Sequence, residues 1–219
     1  MTRAEFSPDV EAIRTIDAVP VILSMVKHLT GMRFAAVARV TERSWVACAV
    51  DDSIDFGLKP GGELVVESTI CHEIRQHRQP VIFGHASAHP VFSLHHTPRT
   101  YALESYISIP IIRANGEFFG TLCAIDSVPA NLAEPAIAPS LTLSAQLIAM
   151  SLDAQSHLQA TQTALVNAHE HARLHEQFVA VLGHDLRIVS AFIVRKGDKG
   201  VSFGANEKKL GWNSSPTAQ

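Results

Sequence analysis

Tyr106-Ile-Ser-Ile-Pro-Ile-Ile112, then Ala114-Asn-Gly-Glu117, then Phe118-Phe-Gly-Thr-Leu-Cys-Ala-Ile125 follow one another almost without a break. Two apolar runs of strand length joined through Asn-Gly predict a β-hairpin, because both turn residues accept the positive φ that a tight turn needs. Upstream, Phe34-Ala-Ala-Val-Ala-Arg-Val40 and Ser44-Trp-Val-Ala-Cys-Ala-Val50 flank the polar Thr41-Glu-Arg43 and predict a second hairpin. Pro80-Val-Ile-Phe83 reads as a further short strand, with its proline at the first position, where no ladder bond is lost. Asp51-Asp-Ser53 and Lys59-Pro-Gly-Gly62 mark loops.

Helical spacing surrounds these strands. Val10, Ile13, Ile16, Val19, Ile22, Leu23, Val26 and Leu29 predict a helical stretch over residues 8–30. Pro20 predicts a kink or a junction of two helices there, and Gly31 a stop. Residues 68–77 predict a short helix with Ile70, Ile74 and Cys71 on its buried face. Residues 84–103, polar and aromatic with Pro90 and Pro98, predict a functional loop or a short helix. Hairpins with helices between and after them form an antiparallel sheet with helices packed on it, an α+β fold.

Composition sets the outer limits. The 219 residues are 47% hydrophobic and 18% charged, which describes a globular chain able to bury its own core. A net charge of −3 gives no basic footprint for nucleic acid or for an anionic membrane. Cys48, Cys71 and Cys123 are too few and too scattered for a disulfide framework or a structural zinc site. Charges in the opening residues replace the apolar run of a signal peptide, and no stretch reaches the roughly 18–20 apolar residues of a membrane span. A soluble, cytoplasmic protein is expected.

Six of the 12 histidines (His72, His77, His85, His89, His95 and His96) fall between Cys71 and Pro98. Their spacing fits no zinc or haem signature, so no metal is expected and the loop reads as solvated. Beyond Ala133 the pattern changes. Leu158, Leu165, Ala172, Val179 and Leu186 recur every seven residues, with Ala154, Thr161, Ala168 and Leu182 at companion positions and His175 interrupting. This predicts a long helix pairing with a second copy as a homodimer through a thin coiled-coil seam. At Arg187 the composition shifts again: 2 Lys and 11 Arg precede it or include it, while 4 Lys and 1 Arg follow. Gly197, Gly200, Gly204 and Gly211 oppose a continuous helix there, so residues 188–219 are expected to form an aberrant or disordered tail.

These segments resemble a GAF domain. Glu67-Ser-Thr-Ile-Cys-His-Glu-Ile74, Gln79-Pro-Val-Ile-Phe83, Ser105-Tyr-Ile-Ser-Ile-Pro-Ile111 and Asn115-Gly-Glu-Phe-Phe-Gly-Thr-Leu-Cys-Ala-Ile-Asp126 carry the likeness. It implies a six-stranded antiparallel sheet flanked by helices, with a small-ligand pocket on one sheet face. Residues 1–155 are then the sensory domain, with Cys71, Ser108 and Cys123 as ligand-binding candidates. Some GAF domains hold a linear tetrapyrrole on a cysteine in the helix before the strand that here starts near Tyr106. The matching position falls near Ser93, so covalent bilin is not expected, and the ligand stays open.

Phe178-Val-Ala-Val-Leu-Gly-His-Asp-Leu-Arg187 resembles the phosphoacceptor H-box of sensor histidine kinases. The resemblance implies that residues 156–187 form a signalling helix with His184 as phosphoacceptor and Asp185 as its hydrogen-bonding carboxylate. Where that family continues with Asn or Thr and then Pro, this chain has Ile188 and Val189. Nothing after Arg187 resembles an ATP-binding box, and Gly197-Asp-Lys-Gly200 is too short for a phosphate-cradling loop. The expectation is the sensory half of a two-component kinase, inactive alone and served by a kinase core or response regulator in trans. The alternative is a GAF-type thiol reductase of free methionine sulfoxide, with Cys71 and Cys123 as its thiols.

Overall fold

The computed structural model describes residues 8–197 and, within the last helix, the side chains as far as Val179 together with Leu182. The chain divides into two compact units, Met1–Thr161 and Gln162–Gln219, and the sheet with its packing helices belongs to the first.

The helical stretch at the start is two helices, α1 (Pro8–Arg14) and α2 (Ala18–Thr30). The break precedes Pro20. Pro20 is the third residue of α2, where a backbone N–H would have no intrahelical acceptor and its loss costs nothing. Gly31 ends α2 in the left-handed region, at φ 68°.

Six strands follow: β1 (Phe34–Val40), β2 (Trp45–Asp52), β3 (Glu63–Leu64), β4 (Val81–Phe83), β5 (Ser105–Ile112) and β6 (Phe118–Asp126). They form one antiparallel sheet in the order β3-β2-β1-β6-β5-β4. Both expected hairpins are present. At the tip of the β5–β6 hairpin the Arg113 N–H donates to the Glu117 carbonyl at 2.8 Å, and Gly116 adopts φ 82°. β3 is too short to leave a pattern in the sequence. Between β3 and β5 lie a single 3-10 turn (Val66–Ser68), α3 (Ile70–His77), β4 and α4 (His96–Tyr101). The final helix, α5, runs Ile137–Gly197, so residues 188–197 are helical; the rest of the expected tail lies outside the described residues.

Both faces of the sheet are buried, which explains why all nine residues of β6 are inaccessible. Strand parity divides them. Ala35, Val37, Ile107, Ile109, Leu122 and Ala124 meet α1, α2 and the first turns of α5 in one core. Phe34, Ala36, Trp45, Tyr106, Cys123 and Ile125 face α3 and the loops around it in the other. Alternation with Trp45 and Ala47 puts Cys48 on the helix side, and a bulge there, with Val37 paired to Ala49 and Ala38 to Ala47, brings Ala49 to that side too.

Contrary to the sequence expectation, one stretch meets the composition of a membrane span. Within α5, an 18-residue window between Ile137 and Val179 reaches a mean hydropathy of 1.2. Its apolar side chains include Ile137, Leu141, Ile148 and Leu152, each at most 5% exposed and part of the helix-side core. Leu143, Leu147 and Met150 in the same stretch are exposed, so the core accounts for part of the hydropathy.

Candidate ligand pocket

The second core is not completely filled. Between the sheet and α3 lies a cavity of about 40 Å³, room for two or three water molecules. Its floor is the sheet itself, with Phe34, Trp45, Tyr106, Cys123 and Ile125. Ile70 and Cys71 of α3 form one wall. Phe56 and Leu58 from the β2–β3 loop close one side, and Thr97, Tyr101 and Leu103 the other. The mouth is aromatic, with Phe56 5.2 Å from Phe34 and 6.0 Å from Tyr101 between ring centroids. Among the described residues, all fourteen that line the cavity are uncharged.

α3 brings its cysteine to the sheet because Ile70, Cys71 and Ile74 share one helical face and bury it. The Cys71 Sγ lies 3.3 Å from the Tyr106 Oη, 3.4 Å from the Thr121 Oγ1 and 4.0 Å from the Ser108 Oγ. All four groups are buried, so they satisfy one another. Cys71 and Cys123 both line the cavity. Ser108 stands behind Cys71 rather than in the lining, and Ser93 is not in the lining either. Cys48 is on the opposite face of the sheet. The side chains of His184 and Asp185 lie outside the described residues.

Burial pushes the Cys123 thiol well above its ordinary range; the neighbouring Cys71 sulfur adds to this, and a hydrogen bond to the Ala36 carbonyl at 3.6 Å opposes it. Burial pushes Cys48 up to about 12. Tyr106 is raised too, by burial first and by the two neighbouring thiols second. Protonated thiols are poor nucleophiles, so burial opposes a thiolate at Cys123, one of the two thiols a reductase would use.

The segment over the cavity is held by histidines. The His95 Nδ1 accepts the Thr97 N–H at 3.2 Å and caps α4, which leaves Nε2 to donate to the Glu73 carboxylate at 2.7 Å. The His96 Nε2 donates to the Glu67 carbonyl at 2.9 Å. The Thr97 hydroxyl donates to the Ser68 carbonyl at 2.8 Å, and the Ser68 and Tyr101 hydroxyls meet at 2.6 Å. Much of the segment is exposed, His85 and His96 included, as a solvated loop would be, while His95 and His96 tie it to Glu73 and Glu67. The sequence reading missed Trp45, Phe56 and Tyr101 as pocket residues. For Trp45 a signal existed, since strand parity puts it on the same face as Ala47.

The model of the GAF domain family matches residues 14–152. The chain belongs to the GAF domain family. Among solved structures it is similar to the blue-light absorbing form of the Thermosynechococcus elongatus PixJ GAF-domain, at 14% identity and TM-score 0.58 over 75% of this chain and 98% of that one. It is similar to the GAF domain region of a putative membrane protein from Geobacter sulfurreducens PCA, at 14% identity and TM-score 0.51 over 66% and 94%. It also resembles the bacteriophytochrome RpBphP3 from the photosynthetic bacterium R. palustris, at 13% identity and TM-score 0.53 over 70% of this chain but only 37% of the bacteriophytochrome. At these identities the likeness shows the GAF fold. It carries no ligand across.

Proposed function

We propose that this GAF domain is the sensory module of a cytoplasmic two-component histidine kinase. A small ligand in the cavity biases the packing of α5, and α5 carries the signal to His184. The supporting observation is continuity: the helix whose first turns close the GAF core runs on through the H-box-like Phe178–Arg187 without interruption. Leu158, Leu165 and Val179, at heptad spacing on that helix, are each more than half exposed in the single chain, as a seam awaiting a second copy would be. Two packings of the paired helices, with populations shifted by the ligand, would form the relay.

In this reading an ATP-binding core, on this polypeptide or another, presents the γ-phosphate. A neutral His184 ring nitrogen attacks phosphorus, the bond to ADP breaks, and a phosphoramidate forms. Asp185 accepts the other ring N–H and offsets the positive charge that develops on the imidazole. A response regulator then takes the phosphoryl group. The test supplies the chain with ATP and the catalytic core of a histidine kinase. Acid-labile, base-stable phosphate should appear on wild type and be absent from His184→Gln. Equal labelling of the two would refute the assignment.

A further inference from the structure

Just ahead of the H-box-like Phe178–Arg187, α5 reads Ala168-His-Glu-His-Ala-Arg-Leu-His-Glu176. His171 and His175 are four residues apart on a continuous helix, so they stand one above the other on one face, with Cβ atoms about 5–6 Å apart. At that spacing two imidazoles on one helix can grip a single metal ion. His157 and His169, also on α5, lack the arrangement: one turn on from them stand Thr161 and Arg173. His171, His175 and Glu176 are exposed, and none makes a side-chain hydrogen bond or ion pair among the described residues.

The seam gives these residues their places. With Leu158, Leu165, Ala172 and Val179 at the a positions of the heptad, His175 takes a d position, His171 the g before it and Glu176 the e after it. An imidazole at d is out of place in an apolar seam, because burial there strips its nitrogens of water. In a parallel pair of helices each g residue faces the partner's e residue five positions on, and a d residue packs beside that same e. Five positions on from His171 is Glu176. Each flank of the seam therefore gathers His171 and His175 of one chain with Glu176 of the partner subunit, and the two-fold axis makes two such sets. Within one chain no group of three potential ligands comes together among the described residues. The second copy completes the set. Two imidazoles and one carboxylate, with a fourth position left for water, is a donor set that zinc accepts.

We propose that the paired α5 helices bind two divalent cations of the zinc class, one on each flank of the seam, each held by His171 and His175 of one chain and Glu176 of the partner subunit. The inference rests on the parallel dimer of the two-component reading. A filled site clamps the two helices just ahead of His184 and so fixes the packing on which the relay depends.

The test uses the full chain, stripped of metal with a chelator, and Zn²⁺ alone as the probe. Titration calorimetry should give one tight site per chain. Sedimentation in zinc should show dimerisation at least about tenfold tighter than in chelator. His171→Ala with His175→Ala should abolish the tight site, and Glu176→Gln should weaken it at least about tenfold, the least that even an outer-shell partner of a metal contributes. Alanine and glutamine are good helix formers, so circular dichroism and thermal unfolding should not change. Mixing the two variants reads the arrangement directly. Each lacks half of the set, but a dimer of one with the other has one flank intact and should regain one tight site per mixed dimer. A mixture that binds no better than its components overturns the inference. So does one ion per dimer, the signature of two His175 side chains meeting on the axis, and so does tight binding that survives the double alanine change. Wild type that is dimeric but binds no zinc tightly overturns it too, and leaves the two-component reading standing. A chain that stays monomeric with and without zinc removes the seam, and with it both this inference and the dimeric relay.

Discussion

Asp126 ends β6 with a side chain 1% exposed, and its two oxygens are fully used. Oδ2 accepts the Arg33 backbone N–H and Nε–H, each at 2.9 Å; Oδ1 accepts the Arg33 Nη2 at 2.6 Å and the Val128 N–H at 3.2 Å. Burial by itself would raise its pKa, but these donors outweigh burial and hold the carboxyl below its usual range. Asp126→Asn should therefore cost about 1–3 kcal/mol at neutral pH, read by urea unfolding. The sign of the pH dependence follows from the lowered pKa. The stabilisation is complete above the unfolded value, about 3.9, and is lost as pH falls through the lower folded value. The gap between wild type and variant should narrow below about pH 4; a gap independent of pH would show that packing, not ionisation, carries it. The thiols yield a second expectation. Cys48 and Cys123 are buried and held protonated, so in native protein a disulfide reagent should modify them only at the rate of unfolding. Rapid native modification of Cys123 would restore the reductase alternative. At this scale the sequence was partly legible. Cys71 and Cys123 could be placed on one wall from helix face and strand parity alone, whereas the His95–Glu73 pair joins residues twenty-two apart through a loop path that no local pattern encodes.

The β5–β6 hairpin and its Asn-Gly turn were readable because each rests on neighbours in the chain. The junction of two helices was readable from Pro20 as well, but its place a few residues earlier and the two-residue β3 were not, since they depend on what the segments pack against. Gly120 shows how a tertiary constraint hides within a readable strand. A Cβ built there would lie 1.8 Å from the Ala38 carbonyl oxygen of β1, which cannot retreat without opening the β1–β6 ladder. Gly120→Ala should cost more than about 3 kcal/mol in unfolding experiments. Gly116 is the control. A Cβ at Gly116 meets nothing within 4 Å, but φ is 82°, so Gly116→Ala should cost only the left-handed penalty of about 1–2 kcal/mol. Comparable losses at both positions would mean that backbone conformation, and not the close approach of two strands, fixes glycine at Gly120.

For the molecule as a whole, the expectation that matters is dimerisation along α5. Leu143, Leu147 and Met150, with exposures of 59%, 48% and 67%, extend the exposed apolar series of Leu158, Leu165, Val179 and Leu182 back along the helix. Spacings alternate by three and four except around Ala154, where two fours adjoin, a stutter that locally unwinds a left-handed supercoil. Removing everything after Ser151 would be a poor test. It deletes Leu152, 5% exposed in the core, and Asp153, whose carboxylate holds the Arg113 Nε–H at 2.7 Å and the Ala114 N–H at 2.9 Å. Loss of a dimer in that truncation could be loss of the fold. Leu158→Lys with Leu165→Lys tests the seam more cleanly, because both residues are exposed in the single chain and neither belongs to a core. Each buried leucine contributes up to about 3 kcal/mol to association, so the pair should weaken dimerisation by at least about 100-fold. Sedimentation equilibrium should show wild type as a dimer and the double variant as a monomer, with unchanged thermal unfolding of the GAF domain. A variant that remains dimeric would place the interface at Leu143, Leu147 and Met150. The relay to His184 would then have to run through the GAF domains themselves.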